Sequence, residues 1–468
     1  MDTYGKRIIS VTGMGTFLSV VNSSSLIIAI PAIISGLRIS FFLAIWIIVA
    51  YSLALTVLTP ILGKYSDIVG RKRLYSLGYL VFLAGSIISA AATGGGMLLA
   101  GRVIQGIGGA FLFSNSLAII TDTFKSVELR GAMGVNTAIL AIGTSIGPLL
   151  GGILTVVTWR AIFIFNIPIS LAGYVLSNRF IREVSHERRG EIDGMGALFL
   201  SLTVIIGIIF LTIIPGTDLL SPLTLLLIAG FAVFFALFWY QERISMRPIL
   251  NPEILKNPTI AISTLALVMA TLSRFSVILL FTLFYQGPLR LSALTAGILL
   301  IPLAGSMGAL SYMSGHLKTK FSDMFLENLG LFLTGAGSIW AAVLVLFRLP
   351  YFLYALPMIV VGAGSGLFYT PNSTVIMLSA PAQLRGETAG LRTLMVNLGS
   401  VMGLTIVFLI ITAMIPAGIV DAIFLGIGQR LQESYISMFY SASAIVLFIS
   451  GIISLIPVPL IMGRKPRN

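Results

Sequence analysis

The chain has 468 residues, of which 57% are hydrophobic and only 10% are charged, and its mean hydropathy is +1.04. Soluble domains carry about 25% charged residues, so this composition excludes a soluble globular protein and indicates a membrane protein. The net charge of +13 does not indicate a nucleic-acid partner, because the basic residues lie in short connectors between apolar runs. Cysteine is absent, which excludes disulfides and thiolate metal sites.

The apolar runs predict fourteen membrane-spanning helices, since a spanning helix needs about 20 mainly apolar residues. The first run is not followed by a small-residue processing site, so we interpret it as a retained helix and not as a signal peptide. In chain order the predicted spans are 8–35, 41–62, 74–93, 97–121, 131–157, 160–178, 194–214, 221–240, 258–286, 293–315, 325–347, 350–378, 388–414 and 436–461.

Lysine and arginine are distributed unevenly between the two sides that these spans define. Twenty-two of the 29 lie in the termini and in connectors on one side, five lie in connectors on the other side, and two, Arg102 and Arg274, lie within spans. Connectors rich in Lys and Arg remain in the cytoplasm. We therefore expect a multi-pass protein of the plasma membrane with both termini in the cytoplasm.

Similar short motifs recur in the two ends of the chain. The pair Gly143 and Gly147 recurs as Gly399 and Gly403, and the tripeptide LRG occurs at the corresponding place in each half. Repeated halves are typical of secondary transporters. We therefore predict an N-terminal six-helix bundle at 1–180, a linker with two extra spans at 181–257 and a C-terminal six-helix bundle at 258–468.

Four stretches of the sequence resemble motifs of the major facilitator superfamily. The stretch "GKYSDIVGRKR" is similar to the family signature G-x-L-x-D-x-x-G-R-K/R between the second and third helices, with Tyr65 where Leu is usual. The stretches "RVIQGIGG", "GTSIGPLLGG" and "WRAIFIFNIPI" resemble motifs of the fourth, fifth and sixth helices. The resemblance covers nearly the whole chain and points to the fourteen-span drug:proton antiporter branch, which carries out multidrug efflux.

This resemblance implies an all-α polytopic membrane protein with the major facilitator fold, two six-helix bundles plus two additional central spans. It implies a secondary transporter, not an enzyme, that exports amphipathic small molecules or drugs in exchange for protons by alternating access of its two halves. The expected partners are a small-molecule substrate, protons and the lipid bilayer, with no cofactor and no metal. We expect a monomer.

The connector between the second and third spans carries the predicted gate. Its bases alone would hold the connector in the cytoplasm, but they do not account for the aspartate or for the glycine spacing. The resemblance implies that the aspartate and the neighbouring arginine bridge the two halves in the outward-open state. The matching residues are Gly63, Asp67, Gly70, Arg71 and Lys72.

The fifth span is glycine-rich at four-residue spacing. Such a face lets another helix pack backbone to backbone, and a proline removes one backbone donor and tends to kink a helix. The resemblance assigns this face to an antiporter motif. Its residues are Gly143, Gly147, Pro148, Gly151 and Gly152.

The first span departs from the family pattern, because Asn22 stands where the antiporter branch usually carries an aspartate. Buried carboxylates are the usual proton carriers in such pumps, and the one marginal replacement is Glu327 at the start of its span. An importer or facilitator of a metabolite, such as an organic anion, without proton antiport is therefore the alternative function.

Several polar residues within spans are candidates for substrate contact. Each of them has an alternative role in hydrogen bonding between helices. Arg102 is either such a candidate or held by Asn22 and Gln105, and Arg274 either lines a cavity or extends to an interface. The candidates are Asn22, Arg102, Gln105, Asn166, Arg274, Asn372 and Asn397.

The predicted gate generates the first test. The variant Asp67→Asn removes the carboxylate of the connector, so we expect slower transport with substrate affinity unchanged, because a latch acts on the exchange between states and not on binding. Parallel measurement of flux and of equilibrium binding checks this. An unchanged flux would remove the gating role.

Overall fold

A computed structural model of the chain describes residues 3–124, 126–183, 193–213, 220–245, 248–249, 253–317, 320–381, 384–416, 419 and 433–464. Among these residues every regular element is helical, with one short 3-10 turn at Tyr351–Tyr354. The helices are α1 (Thr3–Leu37), α2 (Phe41–Val69), α3 (Arg71–Ala90), α4 (Gly95–Thr123), α5 (Ser126–Val157), α6 (Ala161–Phe180), α7 (Gly194–Ile213), α8 (Pro222–Ile244), α9 (Glu253–Lys256), α10 (Pro258–Gln286), α11 (Ala293–Leu299), α12 (Ile301–Leu317), α13 (Asp323–Leu346), α14 (Ala355–Ser379), α15 (Arg385–Met414), α16 (Glu433–Leu455) and α17 (Pro457–Met462).

Thirteen of the described helical segments are long and apolar enough to cross a membrane. Each overlaps one of the fourteen predicted spans, but the ends differ, most of all in α2, which continues to Val69 where the predicted span ends at 62. The remaining predicted span, 131–157, lies in α5, of which Ile146–Val157 is a shorter apolar segment. Helices dominate because a bilayer offers no water to unpaired backbone groups, so each spanning segment must satisfy its own.

Short polar residues fix the starts of several helices. The Ser40 Oγ accepts a hydrogen bond from the Leu43 amide at 3.2 Å, and the Ser322 Oγ accepts one from the Phe325 amide at 3.2 Å. Each bond satisfies one of the free amides of a helix N-terminus. These caps explain why α2 and α13 begin where the apolar runs begin.

Asp193 performs the same capping role just before α7. Partial burial alone would raise the pKa of its carboxyl, but hydrogen bonds from the Gly196 amide at 2.8 Å and from the Gln241 side chain at 3.0 Å lower that pKa below its usual value. The charged form is therefore favoured, which suits a position at a helix N-terminus.

The contacts between Cα atoms divide the chain into two compact units. The first comprises Met1–Gly207, Ala229–Asn251 and Ala389–Leu394, and the second comprises Ile208–Ile228, Pro252–Thr388 and Met395–Asn468. In the first unit α1 packs against α4, α5 and α6, while α3 packs against α4 and α6.

The core of the first unit contains two tyrosines whose rings pack edge to face. Tyr75 and Tyr79 are fully buried, with ring centroids 5.3 Å apart. Their hydroxyls donate to the Val11 carbonyl of α1 at 3.1 Å and 2.8 Å. A buried tyrosine hydroxyl needs such a partner, so these bonds tie α3 to α1.

In the second unit α14 packs against α12 and α13, and α16 packs against α13 and α10. Aromatic rings fill the interior of this unit near the C-terminal end of α10. Phe281 and Phe284 lie 5.7 Å and 5.9 Å from the ring of Tyr354. Aromatic pairs at such distances stabilise a packed interior beyond the area they bury.

The glycine face of α5 packs directly on α1. A Cβ placed on Gly143 would contact Val20 at 3.5 Å, one on Gly147 would overlap the Ser24 hydroxyl, and one on Gly151 would overlap the Ser25 carbonyl. Pro148 lies inside α5, within this contact. Small residues let helix backbones approach in this way, which favours association in lipid.

Because of this contact, there is no room for a side chain at position Gly151. We expect Gly151→Ala to lower the free energy of unfolding by about 1–3 kcal/mol, because the methyl group meets the backbone of α1. Thermal unfolding of the purified protein in detergent measures the loss.

Gly305→Ala is the matched control, since a Cβ on Gly305 would meet nothing within 4 Å. That control should leave stability unchanged or slightly raised. Equal stability of the two variants would contradict the close packing of α1 and α5.

Candidate functional site

Gly70 forms the corner between α2 and α3. Its φ of 109° lies in a region that residues with a side chain rarely adopt. Its amide closes α2 by donating a hydrogen bond to the Ser66 carbonyl at 3.0 Å. A Cβ there would also lie 2.5 Å from a carboxylate oxygen of Glu183. Both the backbone angle and the carboxylate require glycine at this position.

The N-terminus of α3 has a carboxylate that the sequence analysis did not assign. The Lys72 amide donates to Glu183 Oε1 at 3.3 Å, and a negative charge is favoured at a helix N-terminus. The side chain of Asp67, the predicted gate aspartate of this connector, lies outside the described residues. Glu183 follows α6 in the chain, and it lies close to the connector only because the end of α6 packs beside the start of α3.

Arg71 joins α3 to the end of α4. Its Nη1 lies 2.5 Å from Asp122 Oδ2 and donates to the Ala118 carbonyl at 2.8 Å. The two side chains are 20% and 15% exposed, so the pair is better shielded than a surface ion pair. Gly63 lies beside α4 as well, since a Cβ there would be 3.8 Å from Ser114.

Asn22 is buried at the middle of α1 with 1% of its surface exposed. Its Oδ1 accepts a hydrogen bond from Asn166 Nδ2 of α6 at 3.0 Å. The two candidate asparagines therefore bind each other, and Asn22 does not hold Arg102. That part of our expectation is wrong, because α6 and not α4 presents the partner of Asn22.

Arg102 is fully buried within α4. Its Nε donates to the Ile47 carbonyl at 3.2 Å and its Nη1 donates to Gln105 Oε1 at 2.9 Å. The guanidinium carbon lies 4.4 Å from the centre of the Tyr51 ring. The expectation that Gln105 holds Arg102 agrees with this geometry, and these contacts compensate for a charge that has no acidic partner among the described residues.

A further hydrogen bond fixes the orientation of the Gln105 side-chain amide. Its Nε2 donates to Ser86 Oγ at 2.8 Å, and that hydroxyl donates to the Phe82 carbonyl at 2.7 Å. The chain of bonds from Arg102 through Gln105 therefore ends on the backbone of α3. This network bonds Nε and Nη1 of Arg102, while its Nη2 has no partner among the described residues.

Arg274 lies at the middle of α10 and is 7% exposed. Its Nε is 3.3 Å from the Tyr369 hydroxyl, and its guanidinium carbon is 5.2 Å from the centre of the Tyr369 ring. The same hydroxyl donates to Thr271 Oγ1 at 2.8 Å. Arg274 thus has fewer partners than Arg102, although both arginines stand over a tyrosine.

Glu327 is fully buried in α13, and its partner comes from the end of the last helical segment. Arg464 Nη1 donates to Glu327 Oε2 at 2.7 Å, and Asn372 Nδ2 donates to Glu327 Oε1 at 3.2 Å and to the Ser263 carbonyl at 3.0 Å. Burial lowers the pKa of the Arg464 guanidinium, and the Glu327 carboxylate opposes that shift.

The candidate asparagines of the second unit therefore differ in their surroundings. Asn372 belongs to the cluster of Glu327 and Arg464, whereas Asn397 on α15 is half-buried and its Nδ2 has no hydrogen-bond partner within the described ranges. The sequence showed Glu327 as a marginal acid near a helix start. The pairing of Glu327 with Arg464 could not be inferred from the sequence, because the last helices of the chain lie between the two residues.

The amino-acid sequence matches the profile of the Major Facilitator Superfamily over residues 12–404. It is 28% identical over 403 residues to the riboflavin transporter RibZ of Clostridioides difficile, which covers 83% of this chain and 84% of that protein. It is 27% identical over 417 residues to the multidrug resistance protein Stp of Mycobacterium tuberculosis, which covers 87% of this chain and 76% of that protein.

Two solved structures resemble this fold over nearly the whole chain. The human organic anion transporter MFSD10 (TETRAN) superimposes with a TM-score of 0.60 at 14% identity, covering 97% of this chain and all of that one. A D-xylose-proton symporter superimposes with a TM-score of 0.65 at 13% identity, covering 99% and 98%. The predicted all-α polytopic fold class is confirmed.

The ion pair between Glu327 and Arg464 generates a stability prediction. Removal of one partner leaves the other charge buried, which costs about 3–5 kcal/mol. We therefore expect Glu327→Gln and Arg464→Leu each to lower the unfolding temperature strongly. Thermal unfolding in one detergent checks both variants.

The double variant, with both substitutions, is the control for this pair. It removes both charges at once, so its loss should be smaller than the sum of the two single losses. Strictly additive losses would show that the two charges do not stabilise each other.

Proposed function

Because this chain belongs to the Major Facilitator Superfamily and is a secondary transporter, we propose that it exports amphipathic small molecules in exchange for protons. The proposal places it in the fourteen-span drug antiporter branch of the family. The contact of α5 with α1 through Gly147 and Gly151 carries this proposal. It places the antiporter-like sequence motif at a helix interface that a kink at Pro148 can bend.

The names of two relatives support export. One is the multidrug resistance protein Stp, and another is the methylenomycin A resistance protein of Bacillus subtilis, 27% identical over 384 residues that cover 80% of this chain and 81% of that protein. Resistance to a toxic compound is consistent with its removal from the cell.

The proposed architecture has two six-helix bundles, 1–180 and 258–468, with 181–257 as a linker carrying two further spans. The protein lies in the plasma membrane with both termini in the cytoplasm. The distribution of Lys and Arg supports this orientation. Alternating access then requires the two bundles to move as bodies about the substrate.

The corner at Gly70 supports a gating role for the connector between α2 and α3. Arg71 is bonded to Asp122, and Glu183 is bonded to the start of α3, so the ends of α4 and α6 meet the corner between α2 and α3. We propose that Asp67 and Lys72 act with this corner as the latch. A motion of α3 relative to α4 and α6 would change both contacts together.

Proton exchange needs a group that gains and loses a proton during the cycle. Two described carboxylates are buried, Glu242 near the end of α8 and Glu327 within α13. Glu327 is the better candidate carrier, because its partners Arg464 and Asn372 come from other helices and can separate from it when the helices move. Protonation of Glu327 would release Arg464.

A specific observation favours a second candidate function. Asn22 and Asn166 form a neutral pair at the place where the antiporter branch carries a carboxylate. A neutral pair neither attracts a cation nor carries a proton at this point of the first unit. This favours an importer or facilitator of a metabolite that works without proton antiport, and one relative is named as a riboflavin transporter.

Transport in proteoliposomes distinguishes the two functions. With an acidic lumen, protons leave as substrate enters, so we expect rhodamine 110 or fluorescein to accumulate inside. A one-for-one exchange supports about tenfold accumulation for each pH unit, which corresponds to about 1.4 kcal/mol. Dye is extracted and measured at one fixed pH.

Protein-free liposomes under the same gradient are the control, because they report the passive distribution of each dye. Equal flux with and without the gradient would reject proton antiport. Protein-dependent equilibration in that case would establish the facilitator instead.

A further inference from the structure

Arg274 is buried too deeply in its helix to reach the surface of a bilayer. It lies sixteen residues after Pro258 and twelve before Gln286, which corresponds to about 24 Å and about 18 Å along the axis. An arginine side chain does not extend so far. Extension to an interface, one of our two expectations for Arg274, therefore does not explain its position.

The contacts of Arg274 do not neutralise its charge. No carboxylate within the described part of the chain pairs with it, and its one hydrogen bond joins Nε to the Tyr369 hydroxyl. The terminal nitrogens Nη1 and Nη2 donate to no described residue. A buried charge in a membrane is costly unless it is paired or hydrated, so this guanidinium needs a partner from outside the described residues.

Arg102 and Arg274 differ in how many of their donors are bonded and in their exposure. Arg102 uses Nε and Nη1 for hydrogen bonds to Ile47 and Gln105, and none of its surface is exposed. Arg102 Nη2 has no partner among the described residues but is fully enclosed, whereas both terminal nitrogens of Arg274 lack a described partner and the side chain is partly exposed.

Tyr369 holds the guanidinium in a defined orientation. Its hydroxyl donates to Thr271 Oγ1 at 2.8 Å, so its lone pairs are left to accept from Arg274, and its ring lies near the guanidinium carbon. Ser365, one turn earlier on the same face of α14, is 2% exposed, and its Oγ has no hydrogen-bond partner in the described part of the chain.

We propose that Arg274, Tyr369 and Thr271 form a binding site for the anionic group of the transported compound. Two parallel guanidinium donors match a carboxylate, phosphate or sulfonate. The substrate class is therefore an amphipathic organic anion, whose apolar part is accommodated by the surrounding apolar helices. This inference rests on the proposed transport function but not on its direction or on proton coupling.

Equilibrium binding tests the site without any gradient. Fluorescein and rhodamine 123 share one ring system, but rhodamine 123 is a cation that carries a methyl ester where fluorescein has a carboxylate. Fluorescence polarisation with the purified protein in phosphatidylcholine nanodiscs therefore isolates the effect of the anionic group. We expect fluorescein to bind and Arg274→Gln to weaken its binding at least tenfold, as expected for the loss of charge-assisted hydrogen bonds. Rhodamine 123 should bind no more weakly to this variant.

Two further variants keep the test independent of folding defects. Arg274→Lys keeps the charge but loses the fork, so we expect an intermediate loss of fluorescein affinity. Arg348→Gln is the matched control, because Arg348 also lies over a tyrosine, 5.2 Å from the ring of Tyr440, but follows the end of α13. It should bind fluorescein as the unaltered protein does.

A repeat in nanodiscs that contain phosphatidylglycerol distinguishes a soluble anion from a lipid headgroup. Binding that depends on Arg274 in both lipids supports the substrate site. Loss of fluorescein binding in phosphatidylglycerol, or equal affinity of Arg274→Gln and Arg348→Gln, would overturn it. Gradient-driven flux with no role for Arg274 would reject the site and leave the exporter standing.

Discussion

The cost of an unpaired charge inside a bilayer determines the polar structure of this protein. Only a few ionisable side chains lie within its spans, and each described one is matched to other groups in a different way. Arg102 is enclosed by Gln105, Tyr51 and a backbone carbonyl, and Glu327 is neutralised by Arg464. Neither arginine has a carboxylate partner among the described residues, but Arg102 bonds through Nε and Nη1, whereas Arg274 bonds through Nε alone and is partly exposed.

Close approach of helix backbones is the second constraint. Lipid is as apolar as leucine, so burial of apolar side chains alone does not draw helices together in a membrane. In the first unit the glycine face of α5 brings its backbone onto α1, and Asn166 donates across to Asn22. The helix that carries the antiporter-like motif is thus also the helix that positions the polar centre of α1.

These two constraints together shape the choice between the candidate functions. A drug antiporter of this kind is expected to carry a carboxylate on α1, yet Asn22 is neutral and already paired. The charge that we propose for substrate recognition lies instead in the second unit, on Arg274, and it is positive. If protons drive transport, their carrier is then separated from the substrate site, since Glu327 is bonded to Asn372 and Arg464 and not to Arg274.

The sequence alone determined the helical class and the approximate position of each span, because a run of about 20 apolar residues between polar connectors forms a helix in a bilayer. It also identified Gly70 and the glycine face of α5, since glycine spacing is a local property of one helix or turn. Only the tertiary structure paired Arg71 with Asp122, Glu183 with α3, Arg102 with Tyr51 and Glu327 with Arg464. Those partners are far apart in the chain, and no local sequence pattern indicates which helices pack together. The sequence gives the charge of each residue, but the packing of the helices determines which group neutralises it.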